Sequence, residues 1–581
     1  RFTLGDTTAG GTLDIGGDGE IVLAGTASAA TGASLKAAGR IAMTTGQITV
    51  TGGGVSIDAG SLRMLDASSV DAAGAITVDT DGDAQLTRLS SAAGGSAAID
   101  VEAGGRILAG TADGRVDLSA AGGGIRLKAG SGIGDGRVEN TTLADAAASD
   151  ALHHLVVKAA NVVAETDAGR IAIRLLDDLA GGSFATTAGT AIDLIADGDF
   201  TAGALLAGQG SMRAVAGGDM DVATVVAGLD VTLGAAGSAR LGTVTSGGSQ
   251  RLSATGDLVF GHLRTLGIAA DEGDIYLTSR DGRVLGGTAD ANGALHIDAA
   301  RGLTFAALRS GGDMALKSGG PVDGGDMQAG GELRFDFAGG GPIVLDTIRS
   351  ADLDLKSGGP LAIGQAFVSN SASFEAPDIL VGALTNTGTQ PLRLSLTGYQ
   401  GALADSAVMN IFSPSGIDID TLHVVDGRFT TNAAFVGIAD GFVPGSMEWI
   451  TPWRVVWMDN RSPVPALSNG VQLYQPDYRF TMEQFRHRTT TTSYVVRYGP
   501  GSDVRMVRNG REYPGASFVR DYERLMRDAA NGRPGLEGRE QQLYRMSVDN
   551  VLVLFDRVLR GSVGNLLDRP AVNVGEDEDE E

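Results

Sequence analysis

The sequence predicts a right-handed parallel β-helix, followed by a smaller α+β module that ends in helices. The first observation is a short run that returns at a nearly constant interval. Residues 218–222, 237–241 and 256–260 begin 19 residues apart, and a related run occupies residues 198–200. In the first and third runs apolar and polar side chains alternate, which indicates a strand with one buried face. A strand that returns about every 20 residues, with glycine at its corner, is typical of a stacked solenoid.

Composition is the second observation. Glycine supplies 88 of the 581 residues, about twice its usual share. That excess alone is typical of low complexity, but the regular period and a hydrophobic content of 43% favour a folded chain. The predicted corners carry Gly-Gly, Asp-Gly and Gly-Asp pairs, where we expect glycine to supply positive φ. Many acidic residues lie beside these glycines, so we expect them to serve corners and solubility rather than catalysis.

The repeat occupies residues 1–400. Within it the hexapeptide LKSGGP at 316–321 returns at 355–360, which is 39 residues or two coils later. About 400 residues at about 20 per coil give about 20 coils, and at about 4.8 Å per strand they predict a rod on the order of 100 Å long. Residues 140–154 are alanine-rich and do not alternate, so we expect a loop or a single helical excursion there.

A change in composition near residue 400 predicts a non-repetitive, aromatic-rich β module over residues 401–514. All three tryptophans of the chain, Trp449, Trp453 and Trp457, lie in one segment of this module. Their even spacing places them on one face of an extended strand, although Pro452 makes that strand an edge or a bulge. We consider two roles for this face, which are packing in the core of the module and an exposed contact surface for sugar or protein.

Amphipathic helices are predicted over residues 515–569, and a disordered acidic tail over residues 570–581. Ser517 can cap the first helix. The second helix covers residues 540–567 and is a candidate for anchoring or assembly. Its apolar face consists of Tyr544, Val548, Val551, Leu552, Phe555, Val558, Leu559, Val563 and Leu566, of which the first seven are the candidate anchoring residues. This face either caps the core of the module, or docks on a partner or on a sister subunit.

Charge and cysteine content exclude several classes of function. The net charge is −25, and the acidic excess lies before residue 451 and in the last six residues, whereas residues 451–569 carry more arginine than acid. The long acidic region repels nucleic acid and anionic lipid, so we expect neither as its partner. The chain has no cysteine, which excludes disulfides, thiolate catalysis and cysteine-based zinc sites. No run approaches the roughly 18 apolar residues of a membrane helix.

Metal and cofactor sites are not expected. Residues 79–83 (DTDGD) begin like a calcium loop, but an EF-hand loop requires glutamate at its twelfth position, where this chain has Ser90. Turn chemistry is the favoured interpretation there, with an incidental weak Ca²⁺ site as the alternative. His153 and His154 are adjacent in the chain, and chain neighbours rarely ligate one metal. We therefore predict no cofactor and no catalytic residue.

Several motifs resemble those of filamentous-haemagglutinin-type exoproteins, the large adhesins that bacteria export by two-partner secretion. The coils are similar to theirs in style over most of the chain. The detailed resemblance is to a module near the C-terminus of some of these exoproteins, and covers SPSGI at 413–417, LHVVD at 422–426, VPGSM at 443–447, DNRSP at 459–463 and VQLYQP at 471–476. The N-terminal secretion domain of that family and the cysteine pair that anchors some of its members are not in this sequence.

This resemblance implies an extracellular protein of the bacterial cell surface, associated with the outer membrane. Its implied partners are an outer-membrane transporter or anchoring protein, sister subunits, and ligands on a host or matrix surface. The chain begins at Arg1 within a strand-like pattern, so we expect a processed product or a part of a longer protein whose export signal lies upstream.

Three hypotheses for function follow. The first is a non-enzymatic surface adhesin or structural fibre, with a C-terminal module for termination, anchoring or assembly. The second is a β-helical carbohydrate-active enzyme, either a polysaccharide lyase or a hydrolase. Such an enzyme requires a place where several acids or arginines align with an aromatic side chain on neighbouring coils. The third is a self-assembling scaffold without a ligand.

Overall fold

The structure is a computed structural model. It describes the backbone of residues 1–65, 67–110, 115–137, 153–189, 191–267, 273–433, 436–442, 446–451, 454–459, 478–482, 492–497, 505–508 and 511–513. Side chains are described up to residue 433, apart from those at 135–137. Two compact units divide the chain, Arg1–Leu316 and Lys317–Glu581. The described residues of the first unit and of the second unit up to β41 form parallel β-solenoid coils, about 20 turns in all, which confirms the predicted solenoid class. The right-handed coiling stays a prediction.

The first unit is built from short strands that stack in parallel. They are β1 (Phe2–Leu4), β2 (Thr7–Ala9), β3 (Thr12–Gly17), β4 (Ile21–Leu23), β5 (Thr26–Ala29), β6 (Gly32–Met43), β7 (Gln47–Val50), β8 (Val55–Met64), β9 (Ser69–Ala72), β10 (Ile76–Thr80), β11 (Ala84–Leu86), β12 (Arg88–Ala103), β13 (Arg106–Ala109), β14 (Leu118–Ala129), β15 (Gly132–Arg137), β16 (Leu155–Thr166), β17 (Ile171–Leu175), β18 (Gly181–Thr186), β19 (Ala191–Ala196), β20 (Phe200–Ala207), β21 (Ser211–Ala216), β22 (Met220–Ala227), β23 (Val231–Ala235), β24 (Ala239–Ser246), β25 (Gln250–Ala254), β26 (Leu258–Thr265), β27 (Ile275–Ser279), β28 (Val284–Ala291), β29 (Leu295–Ala299), β30 (Leu303–Ser310) and β31 (Met314–Ser318).

The second unit continues with further strands. They are β32 (Val322–Ala329), β33 (Glu332–Phe337), β34 (Ile343–Ser357), β35 (Leu361–Glu375), β36 (Asp378–Asn386), β37 (Leu392–Thr397), β38 (Ala404–Phe412), β39 (Ile417–Thr431), β40 (Val436–Phe442), β41 (Ser446–Thr451), β42 (Arg454–Asp459), β43 (Tyr478–Met482), β44 (Thr492–Arg497), β45 (Arg505–Arg508) and β46 (Arg511–Tyr513). The described residues contain one 3₁₀ turn, Tyr399–Gly401, and no α-helix.

Each coil in the second half of the first unit presents three faces. Strands β20, β22, β24, β26, β28 and β30 pair in sequence, and so do β19, β21, β23, β25, β27 and β29. In β20 and β22 the alternation of buried and exposed residues breaks in the middle. Such a strand bends and contributes to two faces, while the strand that follows forms the third.

The core is made of inward positions that stack from coil to coil. Leu194, Ala214, Leu233, Leu252 and Leu277 occupy the same register on successive coils and are all almost fully buried. Full burial of one leucine side chain contributes about 2 kcal/mol. The period-two pattern of the sequence therefore places one apolar column inside the solenoid for each outward column.

The corners are closed by aspartates that accept a backbone N–H from the following coil. Asp199 Oδ1 accepts the amide of Asp219 at 2.8 Å, and Asp219 Oδ1 accepts the amide of Ser238 at 2.7 Å. Other acceptors of this kind are Asp6, Asp83, Asp178, Asp230, Asp257 and Asp274. Because each bond joins equivalent corners of adjacent coils, the carboxylates set the register of the stack.

Glycine is required at these corners for a different reason from the one predicted. A Cβ on Gly218 would lie 2.0 Å from Asp199 Oδ1, and one on Gly237 would lie 2.1 Å from Asp219 Oδ1. Neither glycine has positive φ, although Gly273 does, at 83°. The prediction of positive φ at these corners is therefore wrong for Gly218 and Gly237. These glycines make room for the carboxylate of the preceding coil.

The repeated hexapeptide forms a second type of corner. Ser318 Oγ donates to the carbonyl of Gly320 at 3.0 Å, and Ser357 Oγ donates to the carbonyl of Gly359 at 2.7 Å. Both serines are buried at the end of a strand. Burial of a hydroxyl is tolerated because the turn that follows supplies its acceptor.

Parallel pairing continues beyond the composition change near residue 400. β38 pairs in parallel with β36, β39 pairs with β37 and β38, and β40 and β41 both pair with β39. Antiparallel pairing begins between β41 and β42 and continues through β46. The change in composition therefore comes before the change in the ladder. Residues 138–152, which include most of the predicted excursion, and the predicted helices at 515–569 lie outside the described residues.

Replacing Gly218 with alanine should destabilise the first unit, because the new methyl group meets the Asp199 carboxylate. The expected cost is about 1–3 kcal/mol, measured as a lower urea midpoint and faster hydrogen exchange at the Asp219 amide. The same change in an Asp199→Ala background should cost much less. Gly203→Ala is the control, since its nearest neighbour is an ordinary 3.7 Å contact. An equal loss in both backgrounds would contradict the proposed fit.

Candidate functional site

A chemically distinct column runs along the outside of the third face of the first unit. The outward positions of β19, β21, β23, β25, β27 and β29 are in register across six coils. They are Asp193, Arg213, Thr232, Arg251, Tyr276 and His296. No other outward column of this unit combines a carboxylate, two arginines, a tyrosine and a histidine in the described residues. We call this set the polar column.

An arginine, a tyrosine and a histidine stack in the second half of the polar column. The rings of Tyr276 and His296 are nearly parallel, with centroids 4.8 Å apart and an interplanar angle of 5°. The guanidinium carbon of Arg251 lies 5.1 Å from the centroid of the Tyr276 ring, a cation–π distance. Arg251 belongs to the coil before Tyr276 and His296 to the coil after it. Both faces of the tyrosine ring are therefore covered, and no open aromatic platform is left for a sugar.

The phenol of Tyr276 is held by the corner carboxylate of its own coil. Its hydroxyl donates to Asp274 Oδ2 at 2.9 Å, while Asp274 Oδ1 accepts the amide of Ala294 at 2.8 Å. The hydrogen bond to Asp274, together with burial, raises the pKa of Tyr276, although Arg251 opposes the rise. The phenol therefore stays protonated at neutral pH and cannot act as a general base there.

The other end of the polar column is an ion-pair cluster. Arg213 Nη1 lies 2.7 Å from Asp193 Oδ1, and His154 Nε2 lies 3.4 Å from Asp193 Oδ2. Burial raises the pKa of Asp193, but the neighbouring His154 and Arg213 outweigh it, so the pKa lies below its ordinary value. Asp193 is thus ionised at neutral pH and forms an ion pair with Arg213.

The geometry limits what the polar column can do chemically. Glycoside hydrolysis needs two carboxyl groups about 5–9.5 Å apart. Asp193 and Asp274 are four coil steps apart, or about 19 Å at the strand spacing, and both oxygens of Asp274 are already engaged. Arg251 has no ion-pair partner among the described residues, so it retains a charge that can attract an anionic group. Electrostatic binding fits this geometry better than acid–base chemistry.

The sequence predicted that the tryptophans share one strand, and this prediction is wrong for Trp449 and Trp457. Trp449 lies in β41 and Trp457 lies in β42, which are antiparallel. In their register Trp449 is opposite Val456 and Trp457 is opposite Glu448. Even spacing cannot distinguish one strand from two, and the proline at 452 lacks the N–H that a continuous ladder needs. Trp453 lies outside the described residues, and the role of these residues as a contact surface stays a prediction.

The remaining sequence-predicted residues fall into two groups. All seven candidate anchoring residues of the second helix lie outside the described residues. Residues 79–83 form a corner, as predicted, in which Thr80 donates to the Gly82 carbonyl and Asp83 accepts the amide of Arg106. Among the described residues, no three His, Asp or Glu side chains converge on a metal position, and no helix has the length and hydropathy to span a membrane.

Sequence reasoning missed the polar column. Tyr276 is one of only two tyrosines in residues 1–400, which was the available signal. Arg251 could not be identified as its neighbour because the coil between β25 and β27 is longer than its predecessors, whereas His296 follows Tyr276 by 20 residues, as the period allows. A fixed period of 19 or 20 residues gives the wrong register across that coil.

The comparisons with known proteins identify no relative. No protein-family model matches the chain, and neither does any curated protein or solved structure. The fold and the polar column therefore stand on the structure alone.

The structure predicts a late ionisation for Tyr276. The folded state holds the phenolic proton more tightly, so this contribution to stability is present below the unfolded pKa of about 10 and is lost as the pH rises through the higher folded value. The difference in tyrosinate absorbance between the unaltered protein and Tyr276→Phe measures this residue alone. Asp274→Asn should return the ionisation toward the ordinary range. A difference spectrum that titrates at the ordinary value in the unaltered protein would contradict the predicted shift.

Proposed function

We propose that the protein is a non-enzymatic adhesin or structural fibre of the bacterial cell surface. The observation that carries this proposal is that many carboxylates of the described residues are engaged in hydrogen bonds and ion pairs between coils. Corner aspartates hold the amide of the next coil, and surface carboxylates pair with Lys or Arg of neighbouring coils, as in Glu20–Arg40 and Asp58–Lys36 at 2.6 Å each. Exposed pairs contribute little individually, but they engage the acidic groups that a hydrolase would otherwise need.

A solenoid suits this role because its outward columns repeat. Each coil presents outward side chains at a spacing of about 4.8 Å, so that weak contacts with a repetitive surface can add together. The polar column offers Arg251 and the exposed edge of the stacked rings to such contacts. Ligands on a host or matrix surface are the partners that fit this arrangement.

The C-terminal residues complete the proposal. The predicted α+β module, with helices at 515–569, would terminate the solenoid and connect it to an outer-membrane transporter, an anchoring protein or sister subunits. The resemblance to filamentous-haemagglutinin-type exoproteins supports this part, as does the excess of arginine over acid in residues 451–569.

Deleting residues 516–569 should release the protein from the producing cells, because the module that holds it is removed. The measurement is the ratio of cell-bound to secreted protein. Deleting residues 570–581 is the control, since it removes charge but leaves the predicted helices. If the larger deletion leaves the protein as fully cell-bound as the intact chain, these helices are not the anchor.

Carbohydrate-active chemistry is the second candidate, and the alignment of Arg213, Arg251 and Tyr276 is the observation that favours it. We expect the purified protein to release no product from neutral or acidic polysaccharides, because no suitably spaced carboxylate pair lies along the polar column. The assay should count new reducing ends and unsaturated products. Product release that Arg251→Ala and Tyr276→Phe abolish, and that Arg264→Ala on another face preserves, would establish an enzyme instead.

A further inference from the structure

The second unit carries an apolar stripe on its outer surface. Val344, Ala362, Leu380 and Val408 occupy the same outward register on four successive coils. Val344, Leu380 and Val408 are 46%, 51% and 43% exposed. We call these four residues the apolar stripe. Three branched side chains in one outward column are an unusual exposure for a soluble protein and indicate a covered surface.

Two exposed glycines adjoin the apolar stripe. Gly364 and Gly382 lie two residues further along β35 and β36, at exposed positions without a side chain. A Cβ on Gly382 would lie 2.5 Å from the carbonyl oxygen of Gly364, so this column cannot accept larger residues without a shift. Exposed apolar side chains beside exposed glycine backbone leave room for an amphipathic helix to lie against this surface.

A segment of this chain has a matching apolar face. The sequence predicts a helix over residues 540–567 whose apolar face includes Val548 and Leu559. From 548 to 559 such a helix would extend about 16 Å at 1.5 Å per residue. The apolar stripe covers three coil steps, or about 14 Å at 4.8 Å each. One helical turn of about 5.4 Å thus brings one apolar layer against each coil.

The connection along the chain allows this contact. In the ladder Val408 is in register with Arg428, which is in register with Glu448 of β41, the last parallel strand. The parallel ladder therefore ends two coil steps from Val408, about 10 Å away. More than 80 residues separate β41 from residue 540, ample chain to return along the solenoid.

The charges near the apolar stripe also favour the predicted helix at 540–567 as its occupant. Asp323 precedes Val344 in the same column, and Asp346 lies two residues beyond Val344 on β34. The predicted helix carries Arg545, Arg557 and Arg560. Arg545 follows Tyr544 and lies beside the apolar face of the predicted helix, so it can meet a carboxylate at the edge of the apolar stripe, where such a pair sets orientation more than affinity. Arg557 and Arg560 fall toward the opposite side of that helix.

We propose that residues 540–567 form a helix that docks in cis along the apolar stripe of the second unit. Docking covers both apolar faces at once and leaves the polar side of the helix outward. The inference concerns the architecture of the second unit, and it holds whether or not the solenoid binds a host surface.

Engineered cysteines test the contact in the full-length chain, which has no cysteine of its own. Leu380→Cys combined with Leu552→Cys, or with Phe555→Cys for the opposite helix direction, should form a disulfide within one chain on mild oxidation. The readout is the loss of both thiols in a species of monomeric mass. The matched control is Leu380→Cys with Asn550→Cys, which places the thiol on the opposite side of the predicted helix. Several-fold more intrachain disulfide than in the control is expected with one of the two pairs.

The other outcomes overturn the proposal. A disulfide between two chains would assign the apolar stripe to a second copy. Equal crosslinking in the Asn550→Cys control, or none with either pair, would show that the segment does not dock there. Circular dichroism of each variant should match the unaltered protein, since Leu380, the position altered within the solenoid, is exposed.

A second measurement does not depend on crosslinking. Leu380→Asp places a charge in the apolar stripe and should increase several-fold the rate at which trypsin removes the segment after Arg545, Arg557 or Arg560. Leu229→Asp is the control, because Leu229 is 53% exposed on the first unit. If Leu380→Asp and Leu229→Asp leave the cleavage rate equally unchanged, the apolar stripe does not hold the segment.

Discussion

The hydrogen bond from a backbone amide to an aspartate of the preceding coil is the constraint on which the first unit depends. A strand needs only its neighbours' backbone to pair, but a corner interrupts that ladder and leaves an amide that must find an acceptor. Asp199 and Asp219 supply one at successive corners. Each carboxylate also occupies the space where the next coil would place a Cβ, so glycine follows at Gly218 and Gly237. The Gly-Asp pair thus couples one coil to the next.

This coupling separates structure from function along the chain. Residues at corners and in inward columns are fixed by the stacking of the coils. Only the outward columns can therefore vary in side-chain chemistry. The polar column shows what that freedom permits, since Arg251, Tyr276 and His296 come from three coils and meet only because the register is maintained. Yet even here Asp274 serves the corner with one oxygen and the tyrosine with the other. The carboxylate beside the stacked rings is therefore occupied by structural hydrogen bonds.

The sequence was sufficient to predict the solenoid but not the side-chain contacts between its coils. Period and alternation are local properties, so the parallel coils could be predicted from runs such as 218–222. The reason for glycine at position 218 could not be predicted, because the atom that excludes a side chain there belongs to a residue one coil earlier. The alignment of Arg251 with Tyr276 was hidden for the same reason, since it requires the register across a coil of unequal length. For Trp449 and Trp457, even spacing fits one strand as well as two, and only the pairing distinguishes them.

The apolar stripe and the predicted helix at 540–567 each present an apolar surface that needs to be covered. A solenoid can leave an outward column apolar only where something covers it, and a helix with a wide apolar face has the same need. A second copy could cover the stripe, but it would leave the helical face of both chains unsatisfied. Docking in cis satisfies both faces within one chain, independently of concentration. It would also turn Arg557 and Arg560 toward solvent, away from the apolar stripe.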